Sequence, residues 1–235
     1  MKKLMAIILT LALVLSFTAC GNGGGGGISQ AEADRLQDTL DNASDNNTGS
    51  ENNPIDSVSV GDVIQFGALE WRVLEIQDGM ALIITEDVID RRPYHADGGD
   101  ITWEHSSLRA YLNGEFYNSF SSSEQGRIIE TTIINSNNPT RGTAGGNNTT
   151  DNIFLLSIDE ANNYFTDNAS RIALNANGEA SWWWLRSPGD SCNYAAIVYG
   201  VGNVYEGGEG GGVRVGGGNV YYNHGGVRPA LWLNL

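Results

Sequence analysis

The sequence feature that most constrains the fold is a contrast within the C-terminal stretch from Ser181 to Leu235. Both ends of this stretch, "SWWWLRSPG" and "GVRPALWLNL", are dense in Trp, Leu, Arg and Pro. Between them the chain uses almost only Gly, Tyr, Val and Asn. Large apolar residues are the ones that proteins bury. The contrast therefore predicts a segment of narrow composition that the hydrophobic core holds at both ends.

The residues at the two ends have distinct predicted roles. The large apolar residues expected in the core are Trp183, Leu185, Val227, Leu231 and Trp232. Arg186 and Arg228 occupy matching positions in the two flanks. We expect both arginines to brace the bases of the segment through hydrogen bonds to carbonyl or carboxylate oxygens. Pro188 and Pro229 are expected to fix the backbone turns there.

The narrow-composition segment repeats weakly on itself. The sequence "GNVY" occurs at 202–205 and again at 218–221. Each Asn-Val-Tyr is predicted to form a short strand, with turns or loops at the glycines between them. Because neighbours in a strand point to opposite faces, Val204 and Val220 should face inward and their Asn and Tyr neighbours outward. Gly-rich disorder is the alternative, and the core-like flanks argue against it.

The N-terminus has the pattern of a targeting signal. Lys2 and Lys3 precede an apolar run, Leu4–Phe17, that is too short for a comfortable membrane span. The run leads into "FTAC", which resembles a bacterial lipobox and implies cleavage before Cys20 and a diacylglycerol on its sulfur. Residues 1–19 are thus predicted to be a lipoprotein signal peptide. An ordinary secretory signal with an incidental Cys20 is the alternative.

The rest of the chain divides into a tether and a domain. Residues 20–54 are rich in Gly, Asn, Asp and Ser, and such a segment buries too little apolar surface to offset its ordering entropy. We therefore predict a flexible tether there and an α+β domain at 55–235. The first strands are expected at about Val63–Phe66, Glu70–Ile76 and Met80–Thr85. Asp78-Gly79 is a hairpin signal between the second and third strands.

Two short helices are predicted in the middle of the chain. The first has apolar residues at helical spacing, namely Leu108, Tyr111, Leu112 and Phe116. Ser106 or Ser107 is its expected cap. Ser121 and Glu124 have the spacing of a capping box, so a second helix is expected to start there and run into a strand.

A third helix is predicted further along. The sequence "NSNNPTRGTAGGNNTTDN" is expected to be a long polar loop. A buried strand, Ile153–Leu156, should follow it. The next helix is then expected to be capped by Ser157 or Asp159.

Charge and cysteine content exclude several classes of function. The formal net charge is −15, and a strongly acidic protein repels phosphate backbones, so no nucleic acid partner is expected. The chain has two cysteines, Cys20 and Cys192. A lipidated Cys20 leaves Cys192 without a partner, which excludes a disulfide framework and a cysteine-rich zinc site.

Five motifs, in order, resemble a bacterial family of extracellular domains of unknown function (DUF6273-like). They are "SSLRAYLNGEFYNSF", "DNIFLLSIDEANNYF", "WWWLRSPG", "AAIV" and "GVRPALWLNL". The resemblance covers about Val60 to Leu235. It implies a C-type lectin-like fold of the formylglycine-generating-enzyme subtype, irregular and loop-rich, with short helices packed on antiparallel strands.

The C-terminal segment also resembles the variable proteins of diversity-generating retroelements. In those systems an error-prone reverse transcriptase rewrites adenines in a copy that replaces the 3′ end of the gene. An Asn codon changed at its adenines cannot yield Lys, Gln, Met, Trp or Glu. Between Asp190 and His224 the chain has no Lys, Gln, Met or Trp, and Glu206 and Glu209 are the exceptions. Cys192 fits random replacement of such a codon, whereas chance composition of a Gly-rich segment is the alternative.

The resemblance implies a varied ligand-binding segment at about 190–224, and its composition suits binding. Tyr supplies a large, rigid contact surface, while Ser, Gly and Asn supply adaptable hydrogen bonds. The predicted ligand contacts are Asp190, Ser191, Cys192, Asn193, Tyr194, Tyr199, Val201, Asn203, Tyr205, Asn219, Tyr221, Tyr222 and His224.

The hypothesis that follows is a surface lipoprotein in the cell envelope, lipid-anchored to the outer face of a membrane. Its expected partner is a protein or glycan on another cell, phage or host surface. A fixed-sequence lectin or adhesin of the same fold is the first alternative. An envelope enzyme or structural domain is the second.

No catalytic group, cofactor or metal is expected. The formylglycine-generating relative holds copper with a pair of cysteines, whereas the domain has Cys192 alone. Of the histidines, His105 is predicted to be solvated at the start of a helix, and His224 lies in the segment of narrow composition. Asp97 and Asp100 in "HADGGD" have calcium-ligand chemistry, but an acidic Gly-rich turn is the favoured interpretation.

Overall fold

The computed structural model describes residues 58–200 and 212–235, which belong to a compact unit spanning Pro54–Leu235. The architecture is α+β, with most strands in antiparallel sheets and few helices, all short. The first strands are β1 (Val63–Phe66), β2 (Leu69–Gln77), β3 (Met80–Thr85), β4 (Asp90–Arg91), β5 (Ile128–Ile129), β6 (Thr131–Ile133) and β7 (Thr149–Asp151). The later strands are β8 (Ala173–Leu174), β9 (Ala180–Ser181), β10 (Trp183–Pro188), β11 (Tyr194–Val198), β12 (Val213–Asn219), β13 (Gly226–Val227) and β14 (Ala230–Asn234). The α-helices are α1 (Ser107–Tyr111), α2 (Ser122–Gln125) and α3 (Ile158–Asn163).

The first sheet has the strand order β1-β2-β3-β14-β5 and is antiparallel throughout. The three predicted N-terminal strands are confirmed. The hairpin turn lies at Asp78 and Gly79, whose φ angles of 51° and 76° are both left-handed, as a primed turn requires. The C-terminal strand β14 lies between β3 and β5, with Leu231 opposite Ile83. The two ends of the domain therefore share one sheet.

The second sheet has the order β12-β11-β10-β13-β4. The central strand β10 is buried along its whole length, which explains why its sequence lacks polar alternation. It pairs antiparallel with β11 and parallel with β13. The segment of narrow composition thus leaves the core through β10 and β11 and returns through β12 and β13.

The helix starts follow the local sequence signals. Ser106 caps α1 by accepting a hydrogen bond from the backbone N–H of Arg109, and a π-helical turn, Leu112–Phe116, continues it. A capping box at Ser121 starts α2, and a second capping box at Ser157 starts α3. The caps predicted at Ser106, Ser121 and Ser157 are confirmed, because capping depends on residues only three apart.

Two predictions in the middle of the chain are wrong in part. Residues Ile153–Leu156 are buried as expected, but they form no regular strand and make one isolated bridge, Phe154 to Ala230. The carbonyls of Leu155 and Leu156 accept hydrogen bonds from Arg186, and that of Ile153 accepts one from the Asn113 amide. The long polar loop is also shorter than predicted, because β7 at its end pairs with β6.

The flanks of the segment reach the core as expected, with one exception. Trp183, Leu185, Val227 and Leu231 are fully buried. Trp232 is only half-buried, since it faces away from Leu231 across β14. The predicted signal peptide and the whole of the predicted tether lie outside the described residues. None of the described helices is both long and apolar enough to cross a membrane.

Candidate ligand-binding surface

Arg186 holds the outgoing base of the segment. Its side chain is buried on β10 and forms a two-pronged ion pair with Glu160, with 2.7 Å between Nη2 and Oε1. It also donates to the carbonyl of Leu155 at 2.8 Å. Glu160 accepts from the backbone N–H of Ser157 as well, so the arginine is tied to the capping box of α3. The base of the segment is therefore held against a helix by a charge pair between a buried arginine and a half-buried glutamate.

Arg228 holds the returning base without a carboxylate. Its guanidinium donates to the carbonyls of Thr85, Arg171 and Glu86 at 2.9, 3.2 and 2.9 Å. It lies 5.1 Å from the ring centroid of Trp183, and burial lowers the pKa of the guanidinium to about 10. Both arginines brace the bases through carbonyl or carboxylate oxygens, as predicted.

Several glycines of the segment belong to the frame, by which we mean the buried residues of the second sheet and its two braced bases, and this corrects the expectation that the glycines between the repeats form turns or loops. Gly216, Gly217 and Gly218 lie inside β12 and are buried. Gly217 has φ 73°, and a Cβ there would overlap the carbonyl of Ala195 on β11. A Cβ on Gly225 would overlap the indole of Trp184. These positions need glycine because another chain segment lies directly against their backbone.

The second Asn-Val-Tyr forms the end of a strand and a turn. β12 ends at Asn219, so Val220 and Tyr221 lie in the turn and the predicted strand is too long. The predicted facing is nevertheless confirmed: Val220 is fully buried, and Tyr221 is 56% exposed. The first copy, with Val204, lies outside the described residues.

The structure brings the two ends of the predicted contact set together. Tyr194 pairs with Asn219 across β11 and β12, and the backbone N–H of Val220 donates to the carbonyl of Asn193 at 3.1 Å. Asp190, Ser191, Cys192, Tyr221, Tyr222 and His224 are exposed, and Asn193, Tyr194, Tyr199 and Asn219 are half-buried. Val201, Asn203 and Tyr205 lie outside the described residues. We call the exposed and half-buried residues 190–194, 219 and 221–224 the rim.

Aromatic rings connect the core to the rim in an unbroken row. Trp184, fully buried, contacts Trp182 edge to face with 4.8 Å between centroids. Trp182 contacts His224 at 5.5 Å, and His224 stacks on Tyr222 at 5.6 Å. Tyr222 meets Tyr221 edge to face at 5.3 Å. Such contacts orient each ring, so the exposed rings are held in place from below.

The support that two loops give to the rim was not predicted, and the first of them is the polar loop between β6 and β7. In the polar loop, the Asn138 amide donates to the carbonyls of Pro188 and Val215 at 2.9 and 2.7 Å, and so ties both strands at the rim's base. Arg141 of the same loop forms an ion pair with Asp190 at 2.7 Å. The sequence shows Asn138 among other polar residues, but nothing in it indicates that this side chain is buried or which carbonyls it contacts.

The acidic turn "HADGGD" is the second support. The backbone N–H of His95 donates to the carbonyl of Val220 at 2.9 Å. After the turn, Ile101 donates to the carbonyl of Cys192, also at 2.9 Å. The turn therefore lies beside both halves of the rim.

The chemically reactive groups are dispersed. Cys192 is a free, exposed thiol, and His105 is exposed beside Glu104 at 3.4 Å. Across residues 58–200 and 212–235, no three His, Cys, Asp or Glu side chains are placed to share a metal ion. The described part of the domain instead offers an exposed aromatic and polar surface on a rigid base.

Comparison with known proteins identifies the family. Residues 78–235 match the domain of unknown function DUF6273, and the chain belongs to this family. No curated protein and no solved structure matches the chain.

Proposed function

We propose that this DUF6273 domain binds a protein or glycan ligand through its C-terminal segment, at about 190–224. We further propose that it is displayed as an envelope lipoprotein and is the variable protein of a diversity-generating retroelement. The observation that carries the proposal is the row of exposed rings, Tyr221, Tyr222 and His224, standing on a frame that does not depend on their identity.

The path of the chain at the rim is set by backbone hydrogen bonds. The N–H of Tyr194 donates to the carbonyl of Ser191 at 2.9 Å, and that of Tyr222 to Asn219 at 3.1 Å. The hydroxyls of Tyr221 and Tyr222 have no partner among the described residues, whereas the buried Tyr94 donates to the carbonyl of Arg186 at 2.9 Å. Replacing the side chain of Tyr194, Tyr221 or Tyr222 therefore leaves these backbone hydrogen bonds intact, which is what a diversified surface requires.

The proposal includes a C-type lectin-like fold of the formylglycine-generating-enzyme subtype. It is supported by the short helices and the antiparallel sheets. No enzymatic activity is proposed, since the motifs of the segment resemble binding proteins and the rim offers contact area.

A tail-swap experiment tests the binding role. Residues 190–194 and 219–224 are exchanged for random sequences that keep Val220, and the displayed variants are screened against a panel of cell-surface proteins and glycans. We expect the variants to keep the parent's melting temperature while their bound partners change. Unchanged ligand choice across correctly folded variants would contradict the proposal.

The DNA around the gene separates diversification from a fixed-sequence lectin or adhesin. The proposal expects a near-duplicate of the 3′ end close by, whose differences from the gene all lie at adenines, beside a reverse-transcriptase gene. A locus without such a copy would assign the domain to the fixed-sequence alternative.

A further inference from the structure

A shallow cleft opens next to the rim, where the aromatic row meets the edge of the second sheet. It has a volume of about 290 Å³ and is lined mainly by Arg91, Trp182, Tyr199 and His224. A second depression of about 320 Å³, lined in part by Asn175 and Asn177, shares Arg91 with it. The two volumes are together within the range of small-molecule sites.

Arg91 is unusual among the arginines of this domain. It is exposed on β4, and its guanidinium has no hydrogen-bond or ion-pair partner among the described residues. The neighbouring carboxylate of Asp90 is already paired with Arg92 at 2.6 Å. The other described arginines all have partners: Arg72, Arg92, Arg109, Arg141 and Arg186 pair with carboxylates, and Arg127, Arg171, Arg214 and Arg228 have other contacts. In a chain with a net charge of −15, an unpaired guanidinium facing a cleft is available to a ligand.

Trp182 also carries a side-chain donor without a partner among the described residues, a property that it shares with Trp232 of β14 in the first sheet. The indole N–H groups of Trp71, Trp103, Trp183 and Trp184 all donate to an oxygen of the domain. Trp182 is half-buried, and no acceptor for its N–H lies among the described residues. The ring is held by edge contacts to Trp184 and His224. The cleft therefore contains a fixed aromatic ring with a free donor at its edge.

These groups fit a ligand with a flat face for the Trp182 ring, hydrogen-bonding groups around its edge and one negative charge per unit for Arg91. A pyranose ring lays its C–H face on an aromatic ring and turns its hydroxyls to surrounding donors and acceptors, such as the exposed amide of Asn177. One guanidinium matches one carboxylate through two parallel hydrogen bonds. A phosphate group, with its higher charge, would face a single cation in an acidic protein, which favours the carboxylate.

We propose that Arg91, Trp182, Tyr199 and His224 form a binding site for an acidic oligosaccharide of the uronic-acid type. One sugar ring lies on Trp182 with its carboxylate on Arg91, and a linked ring extends toward Asn177. This inference specifies the chemistry of the ligand for the binding surface proposed above, so it rests on the proposed function.

The test measures binding of the full chain to tetragalacturonic acid and to its methyl ester, which has the same skeleton with its carboxyl groups capped. The parent is expected to bind the acid at least about tenfold more tightly than the ester, since a charge-assisted pair contributes on that scale. Arg91→Gln should lose about that factor, and Arg91→Lys should recover only part of it.

Matched variants separate the cleft from general charge and from misfolding. Arg127→Gln removes the same charge from the first sheet and should bind the acid like the parent. Trp182→Phe keeps a ring and should retain part of the affinity that Trp182→Ala loses, with melting temperatures compared for both. Equal losses in Arg91→Gln and Arg127→Gln, equal binding of acid and ester, or no binding by the parent would each overturn the site. Binding of polyglutamate in place of the sugar would overturn it as well.

The outcomes also separate this inference from the proposed function. Tail-swapped variants that change partners while no acidic sugar binds would overturn the cleft site and leave the proposed function standing. Acidic-sugar binding that survives every exchange of the rim other than His224, with no change of partner, would support the cleft site and contradict the variable-surface proposal.

Discussion

Arg91 lies on β4 and Arg228 directly follows β13, the strand that pairs with β4, but the two arginine side chains have opposite environments. Arg228 is buried at the base of the segment and directs its donors at three carbonyls. Arg91 is exposed and directs its donors at none of the described residues. The same difference separates two tryptophans. The indole N–H of Trp184 donates to the carbonyl of Arg92 at 2.9 Å, whereas the indole N–H of Trp182 has no acceptor among the described residues.

The difference distinguishes two kinds of polar residue in one domain. A buried donor without an acceptor is costly, so groups such as Arg228 and Trp184 specify the fold only if their partners are in place. An exposed donor without an acceptor has water, and it remains available to a ligand. The frame and the rim can therefore be separated by mutation.

The largest expected effect is at Arg228. Arg228→Met keeps the length of the side chain but removes the guanidinium donor from the carbonyls of Thr85 and Glu86 and one of the two donors from that of Arg171, so the free energy of unfolding should fall by about 3 kcal/mol. Urea unfolding measures the loss. The matched control, Arg91→Met, should change stability by less than about 0.5 kcal/mol. Equal effects at the two arginines would abolish the distinction between frame and rim.

Gly225 is expected to have the next largest effect. An added Cβ overlaps the buried indole of Trp184, so Gly225→Ala should lower stability by about 1–3 kcal/mol through forced repacking. Gly114→Ala is the control, because a Cβ there meets nothing within 4 Å. Thermal melts of both variants decide the matter. A Gly225→Ala variant as stable as the parent would show that this glycine is not part of the frame.

Tyr94 links stability to alkaline pH. Burial raises the pKa of its phenol above the ordinary 10.0, so the folded state keeps a proton that the unfolded state releases. The stabilisation is fully present below pH 10 and falls by up to about 1.4 kcal/mol per pH unit above it. Tyr94→Phe should lose about 1 kcal/mol at pH 7, where the hydrogen bond to Arg186 is missing, and its stability should approach the parent's as the pH rises past 10. Parallel pH profiles of the two proteins in urea unfolding would contradict the assignment.

The smallest effect on stability is expected at the rim. Tyr221→Ser and Tyr222→Ser remove exposed rings, so each should change the free energy of unfolding by less than about 0.5 kcal/mol. Binding of any ligand found in the tail-swap screen should weaken strongly. Val220→Ser in the same turn is the contrast, since it puts a hydroxyl into a fully buried site and should lose at least about 1 kcal/mol. A strongly destabilised Tyr221→Ser would place that ring in the frame.

Local signals accounted for a large part of the fold. The hairpin at Asp78-Gly79, the cap at Ser106 and the capping boxes at Ser121 and Ser157 each depend on residues within one turn of chain. The burial of Val220 beside the exposed Tyr221 also agrees with the prediction, although both residues lie in a turn and not in the strand on which the prediction depended.

The errors have a common cause, which is pairing across distance. Ile153–Leu156 has the composition of a strand, but its carbonyls accept hydrogen bonds from Asn113, from Arg186 and, at one isolated bridge, from β14. The glycines of β12 have the composition of loops, but Ala195 of β11 lies against Gly217. Composition alone does not predict which distant segment of the chain will pack against a given strand or glycine.

The sequence by itself determined the N-terminal strands, the helix starts, the two apolar flanks and the residue types of the rim. Short-range geometry and hydrophobic burial are enough for these, because each depends on side chains and dihedral angles near in the chain. Only the tertiary structure decided that Asn138 ties the base of the rim, that the glycines of β12 belong to the frame and that Arg91 and Trp182 face one cleft. Those facts depend on which distant groups satisfy each donor, and a donor's partner is settled only when the sheets have packed.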